Sequence, residues 1–214
     1  MRLRVLFEKQ GALRYIGHLD LHKIWERSTR RANITLAYSQ GFHPMPKIQL
    51  ASALPLGFSS RAELVDLFTV ADMDPHQAQA QLQAAVPSGI HIHSIEVIDP
   101  ARPPLQVETA ASEFEVDISE ICPNSDALAD LQLRLEHLLI KTSIPRERRG
   151  KQYDLRPLIE QAKLEDGEVL RLRLSAREGA TGRPEEVLAE LGIAFEDTDI
   201  ERSQIFFRST EVSL

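Results

Sequence analysis

The sequence predicts an α+β fold: two ferredoxin-like (βαββαβ) halves in tandem, each an antiparallel sheet with helices on one face. Three observations carry that prediction. Apolar residues recur with strand and helix periods in the order strand, helix, strand, strand, helix, strand over residues 1–98. A stiff stretch, Asp99-Pro-Ala-Arg-Pro-Pro104, then interrupts the pattern. Beyond it the same order starts again. The expected boundaries are 1–98 for the first half, 99–112 for a proline-rich linker and 113–214 for the second half. Residues 1–98 and 113–208 are expected to superpose. The 214 residues are 43% hydrophobic and 27% charged, which suits two cores of about 100 residues each.

Leu3, Val5 and Phe7 alternate with Arg2, Arg4 and Glu8, the period of a half-buried strand. A helix follows from about His18 to Ala32. Leu21, Ile24, Trp25 and Ser28 share its apolar side, and Lys23, Arg27, Arg30 and Arg31 the other. Residues 47–53 and Glu63–Val70 read as strands. Asp74-Pro75 starts a helix that runs to Val86, and Ile90–Val97 is a largely alternating strand. In the second half Phe114, Val116 and Ile118 alternate, and Asn124-Ser-Asp126 caps a long helix striped by Leu128, Leu131, Leu135, Leu138 and Leu139. Gln152–Leu155 and Glu168–Ser175 read as strands, Pro184–Leu191 as a short helix and Ile200–Arg208 as the closing strand.

Net charge is −7, which taken alone disfavours nucleic acid. Its distribution points the other way. Residues 1–48 hold nine Lys/Arg against three Asp/Glu, residues 61–140 three against fourteen, and residues 141–156 six against two. Two basic segments on an acidic body fit a local anion site, because surface potential follows nearby charge. No apolar run approaches the roughly 20 residues of a membrane helix, and the start carries no signal-peptide pattern. The expected location is the cytoplasm, with no membrane partner.

The segment Tyr38-Ser-Gln-Gly-Phe-His-Pro-Met-Pro-Lys47 carries the chemistry. Pro44 and Pro46 fix φ near about −65° and push His43 and Met45 out of the helical region. Gly41 permits a backbone conformation closed to other residues. Within this frame Lys23, Arg27, Arg30, Arg31 and Lys47 would hold phosphates, with Arg14 beside them. Tyr15, Tyr38 and Phe42 would stack on unpaired bases, and Gln40 and His43 would read base edges. Tyr38 and Phe42 serve equally well as core residues. A second basic run, Arg146-Glu-Arg-Arg-Gly-Lys151, reads as a flexible loop or as a second phosphate-contacting arm using Arg149 and Lys151.

Five blocks carry a family resemblance: Phe7-Glu-Lys-Gln-Gly11, Arg14-Tyr-Ile-Gly-His-Leu-Asp20, Arg30-Arg-Ala32, Tyr38-Ser-Gln-Gly-Phe-His-Pro44 and Leu54-Pro-Leu-Gly57. Together they resemble the radical-SAM-linked bacterial domain family of unknown function, found C-terminal to radical SAM iron–sulfur proteins or encoded beside them. Lys151-Gln-Tyr-Asp-Leu-Arg-Pro157 resembles it more loosely. Gly17 departs from the family pattern, which often has Ser there, and removes a side-chain N-cap. The resemblance implies a radical SAM partner that carries the iron–sulfur cluster and S-adenosylmethionine. This chain has only Cys122, where a radical SAM site needs three cysteines, so no such cofactor is expected in it. Cys122 itself reads as a structural thiol.

The same residues offer other chemistries. His18 and His22 have the spacing of helical metal ligands, but Leu19 stands where the metalloprotease signature needs Glu, so no metal is expected. His91 and His93 read as packing or rim residues. Duplicated ferredoxin-like proteins include CRISPR repeat-processing endonucleases, a fold-level resemblance. On that reading His18 or His43, with Tyr15 and Lys47, would cleave RNA without metal. A third reading is a protein-interaction module whose acidic face docks a radical SAM domain. The reading adopted from the sequence is an accessory domain that presents RNA, or another anionic substrate, to a radical SAM partner.

Overall fold

A computed structural model describes residues 1–208; the last residues of the predicted second half, 209–214, lie outside the described residues. The chain is α+β, with antiparallel strand pairs and five α-helices among the described residues. It divides into two compact units, Met1–Thr109 and Ala110–Leu214.

The first unit runs β1 (Arg2–Lys9), α1 (His18–Arg31), β2 (Ile48–Leu50), β3 (Ser59–Phe68), α2 (Pro75–Ala85), β4 (Ile90–Ile98) and a single helical turn, α3 (Leu105–Glu108). Its strands lie in the order β2-β3-β1-β4, every pair antiparallel. Leu3, Val5 and Phe7 of β1 meet Leu21 and Trp25 of α1 and Ala78 and Leu82 of α2 in one core. Phe7 and Trp25 pack edge to face with ring centres 4.8 Å apart. Gly17 stands at the N-cap of α1 and makes no side-chain cap, as its lack of a side chain requires, while Asp74 caps α2 by accepting from the Gln77 N–H.

The alternation in β1 does not mean one wet face. Arg2 and Arg4 are as buried as Leu3 and Val5. Asp66 of β3, fully buried, accepts from Arg2 Nη2 at 2.6 Å and from Arg4 Nε at 2.8 Å. Arg4 also reaches Glu108 at 2.6 Å, and Glu108 holds Arg102. Arg2 further donates to the carbonyls of Arg102 and Pro103. Buried charge is tolerated only when paired and fully hydrogen-bonded, and this network meets that condition. The stretch expected to be a linker is thereby tied to β1, and regular structure resumes at Leu105 inside it.

The second unit runs β5 (Thr109–Asp117), α4 (Ser125–Ile140), β6 (Pro145–Arg148), β7 (Lys151–Asp154), β8 (Ile159–Glu165), β9 (Val169–Arg177), β10 (Ala180–Thr181), α5 (Pro184–Glu190) and β11 (Ile200–Phe207). Its main strands lie in the order β8-β9-β5-β11. Asn124 caps α4 through the Ala127 N–H, and Leu131, Leu135 and Leu138 bury its stripe. Cys122 is buried between β5 and α4. Two expectations differ from the structure here. The predicted strand Gln152–Leu155 corresponds to β7, which pairs only with β6 in a separate two-stranded ribbon, and β8 is the strand beside β9. The run expected to be a flexible loop, residues 146–151, is that ribbon and its turn.

Candidate functional site

The cationic face of α1 follows from helical spacing, and its freedom follows from what lies around it. Of the nine basic residues in the first 48, Arg2, Arg4 and Lys9 are buried. Lys23 shares an exposed ion pair with Asp20 at 3.2 Å, and Arg31 lies 3.5 Å from Ser28 Oγ. Arg27, Arg30 and Lys47 are exposed, and among the described residues none of the three enters an ion pair with a carboxylate. Three guanidinium or ammonium groups therefore face solvent with their charge uncompensated.

The Tyr38–Lys47 segment is a braced hairpin-like loop rather than a floppy connection. Lys47 N–H donates to Ala37 O at 2.8 Å, Ser39 N–H to Met45 O at 2.8 Å, and Met45 N–H to Ser39 Oγ at 3.0 Å. Ala37 N–H in turn bonds Phe68 O of β3 at 2.7 Å. The tip, Gln40 to Pro44, stands in solvent. Gly41 has φ +131°, a value that other residues rarely adopt, and nothing lies within 4 Å of where its Cβ would be. Phe42 is fully exposed, and Tyr38 and Met45 are each more than half exposed. The packing alternative for Tyr38 and Phe42 is not the one realised. His43 also stands at the exposed tip, with no side-chain hydrogen bond among the described residues.

At the other end of α1 the Arg14 guanidinium donates to Gly57 O, and Gly57 N–H returns a bond to Arg14 O at 2.8 Å. This joins the turn Gly11–Tyr15 to the Leu54–Gly57 turn. Tyr15 is exposed beside Arg14, whose guanidinium carbon lies 5.9 Å from its ring centre. His18 and Leu19 are exposed on the first turn of α1, and Leu56 on the adjoining loop. Sequence reasoning passed over Leu19 and Leu56. Leu19 stands four residues before Lys23 and eight before Arg27, so helical spacing alone puts it on the cationic face. No group of three or more potential metal ligands occurs among the described residues. His91 and His93 are rim residues on β4, their rings 5.2 Å apart and His93 3.8 Å from Glu8.

The second basic run is organised differently. Arg149 and Gly150, with φ +52° and +75°, form the turn of the β6–β7 ribbon and leave Arg149 and Lys151 exposed at its tip. Its base is clamped. Arg148 bonds Glu186 of α5 at 2.7 Å and Tyr153 at 3.0 Å, and the Tyr153 hydroxyl also donates to Glu186. Arg146 and Lys141 both reach Glu190. Burial and the bond to Glu186 raise the Tyr153 pKa, while the bond from Lys141, then that from Arg146, holds the Glu190 carboxyl below its usual range. Asp154 and Arg156 are both held through backbone groups. Asp154 accepts the N–H groups of Ile144 and Arg156, and Arg156 donates to the carbonyls of Leu139 and Ile159. An open hollow in this unit is lined by Asp117, Glu120, Glu196, Asp197 and Asp199, an acidic surface that includes none of the candidate site residues.

The chain belongs to a bacterial family, DUF2344, described as an uncharacterized protein conserved in bacteria, which matches residues 2–184. No curated protein matches the chain. Among solved structures it is similar to the crystal structure of an unknown protein from Galdieria sulphuraria, at 15% identity over 97% of each chain with a TM-score of 0.26.

Proposed function

We propose that this member of the DUF2344 family is an accessory recognition module that binds RNA, or a similar anionic chain with exposed bases, for a radical SAM enzyme. One observation carries the binding part: Arg27, Arg30 and Lys47 face solvent without a carboxylate partner among the described residues, in a chain of net charge −7. The braced loop adds Phe42 and Tyr38 as stacking faces next to Gln40 and His43. The radical SAM partner, with its cluster and S-adenosylmethionine, rests on the resemblance of the sequence blocks. Cleavage by His18 or His43 is the weaker reading; for His43, no side-chain hydrogen bond among the described residues orients the ring as a general base requires. We further infer two ferredoxin-like halves. Taken in chain order within each unit, the first, second, third and fourth main strands lie in the sheet as 4-1-3-2, and that common order supports the inference.

The test is fluorescence anisotropy of the purified chain with a single-stranded RNA of mixed sequence. Affinity should fall with salt, with a log–log slope of about −0.7 per phosphate contact. Phe42→Ala should weaken binding by about 1–3 kcal/mol if one base stacks there. Flat salt dependence, or equal affinity for duplex and single strand, would overturn the proposal; cleavage of the RNA by the chain alone would replace it with the endonuclease reading.

A further inference from the structure

β4 closes one side of the first unit's sheet: β1 lies on its inner side, and no strand of the unit pairs with its outer side. The direction of each backbone group can be read from a few bonds. Met1 and Thr69 exchange two backbone bonds, Met1 N to Thr69 O at 2.9 Å and Thr69 N to Met1 O at 3.0 Å. Antiparallel pairing alternates every two residues, so Leu3, Val5 and Phe7 turn their peptide groups toward β3, and Arg2, Arg4 and Leu6 turn theirs toward β4. Their register partners on β4 are Ile98, Glu96 and Ser94. Ile95 and Val97 therefore point their N–H and C=O outward. At the other end Gln10 N–H bonds Gly89 O at 2.8 Å, which by the same alternation puts Ile92 outward. A register shift at His93 reconciles the two ends.

The first stretch of this edge is covered by side chains that imitate a neighbouring strand. Gln83 of α2 accepts the Ile92 N–H at 2.7 Å and donates to Ile90 O at 3.4 Å. Gln79 donates to the carbonyls of Ile92 and His93, both at 3.1 Å. A carboxamide offers the same donor and acceptor as a peptide unit. The cover ends at His93. Beyond it the outward groups of Ile95 and Val97 have no partner among the described residues, Val97 is 54% exposed, and Glu96 enters no ion pair.

We propose that the Ile95–Val97 edge of β4 accepts an extended segment of a partner protein by strand addition, an apolar–basic–apolar run. Unpaired edge groups are a template for such pairing, with main-chain bonds giving affinity and alternate side chains giving specificity. Glu96 selects the basic residue and Val97 an apolar neighbour. A second copy of this chain fits poorly. Antiparallel self-pairing that uses both outward residues centres on Glu96 against Glu96, two carboxylates at Cα separations of about 4.5 Å. No residue of the proposed anion site takes part, so the two proposals fail independently.

The experiment follows backbone amides of the full chain by NMR, with the peptide acetyl-Thr-Val-Lys-Val-Thr-amide as probe. In the free chain the Ile95 and Val97 amides should exchange about tenfold or more faster than that of Ile92, which Gln83 holds. Millimolar peptide should shift and protect Ile95 and Val97. Val97→Pro removes an outward donor at a position where an edge strand tolerates proline, and should abolish the shift at Ile95. Glu96→Lys should lose the Lys peptide and gain its Glu counterpart, a swap that decides the matter even if Val97→Pro fails to fold. Equal protection of the three amides in the free chain, no shift at Ile95 with the Lys peptide, or no charge swap would overturn the proposal. So would a concentration-dependent dimer that Val97→Pro dissolves, since a second copy would then occupy the edge.

Discussion

The outer face of α1 and the β6–β7 ribbon are both dense in arginine, and the sequence offers both as phosphate contacts. Their surroundings separate them. On α1, Arg27 and Arg30 stand in solvent with no carboxylate partner among the described residues. On the ribbon, Arg146 and Arg148 are held by Glu190 and Glu186. Those carboxylates come from α5, some forty residues further along the chain. A basic count measures what a segment contributes, and potential depends on what the fold then brings beside it. Ribbon arginines position the arm, whereas helix arginines remain available to a ligand.

The largest expected effect comes from reversing charge in both places. Arg27→Glu with Arg30→Glu should weaken binding of single-stranded RNA by at least about 100-fold, two charge-assisted contacts at about 1.5–3 kcal/mol each. Its melting temperature should hardly move, as exposed substitutions usually stay within about 0.5 kcal/mol. Arg146→Glu with Arg148→Glu should do the opposite, lowering the melting temperature by at least about 4 °C while leaving affinity within about threefold. Anisotropy and thermal melts on the two variants decide it. Loss of affinity in the ribbon variant with none in the helix variant would invert the comparison.

A smaller effect separates the regions by pH. The Glu190 carboxyl is held low by Lys141, then Arg146. A carboxyl with a depressed folded-state pKa stabilises above its ordinary pKa, and that contribution is lost as pH falls through the folded value. Ribbon amides such as those of Arg146 and Tyr153, a hydrogen-bonded pair of the ladder, should therefore lose exchange protection below about pH 4. Glu190→Gln should shrink this acid limb, leaving the part due to Asp154, whose carboxyl the Ile144 N–H, then the Arg156 N–H, holds low. Arg27 and Arg30 have no carboxylate partner among the described residues, so their contribution to RNA binding should be unchanged over the same range. Hydrogen exchange for the ribbon and RNA anisotropy for α1, each at two acidic pH values, test the two halves of the statement.

Much of the first unit is legible because its signals are local. The 3.6-residue period gives a helix from about His18 to Ala32 where α1 runs His18–Arg31, Asp74-Pro75 marks the start of α2, and alternation gives β4. The second buried face of β1 is not legible. Arg2 and Arg4 look like solvent residues until Asp66, more than sixty positions away, is placed between them. β8 is missed for a related reason: Ile159-Glu-Gln-Ala-Lys-Leu-Glu165 buries only Ile159 and Ala162, too few for a clear period. At the site, residue types are readable and exposure is not. Nothing in the sequence separates a Phe42 that packs from one that stands in water, because the hydrogen bonds that brace the loop involve Phe68 of β3.

The smallest effect belongs to Arg149 and Lys151, which lie between the two extremes. They sit on the clamped ribbon, yet their side chains are exposed at its tip with no carboxylate partner among the described residues. The clamp makes the tip well positioned, since Asp154 and Arg156 fix its base through backbone bonds to Ile144, Leu139 and Ile159. What the tip lacks is a stacking face, because Tyr153 is engaged by Glu186 and by Arg148, 4.8 Å from its ring centre. Two cations without aromatic support add electrostatic attraction alone, and salt screens it over about 8 Å at physiological ionic strength. Arg149→Glu with Lys151→Glu should then cost less than about tenfold in RNA affinity at low salt, and the loss should shrink toward nothing near physiological salt. The salt slope should become shallower by at most about 1.4, two contacts at about 0.7 each. A loss as large as that of the helix variant, persisting at physiological salt, would make the ribbon tip an equal part of the binding surface and end the distinction between free and committed arginines.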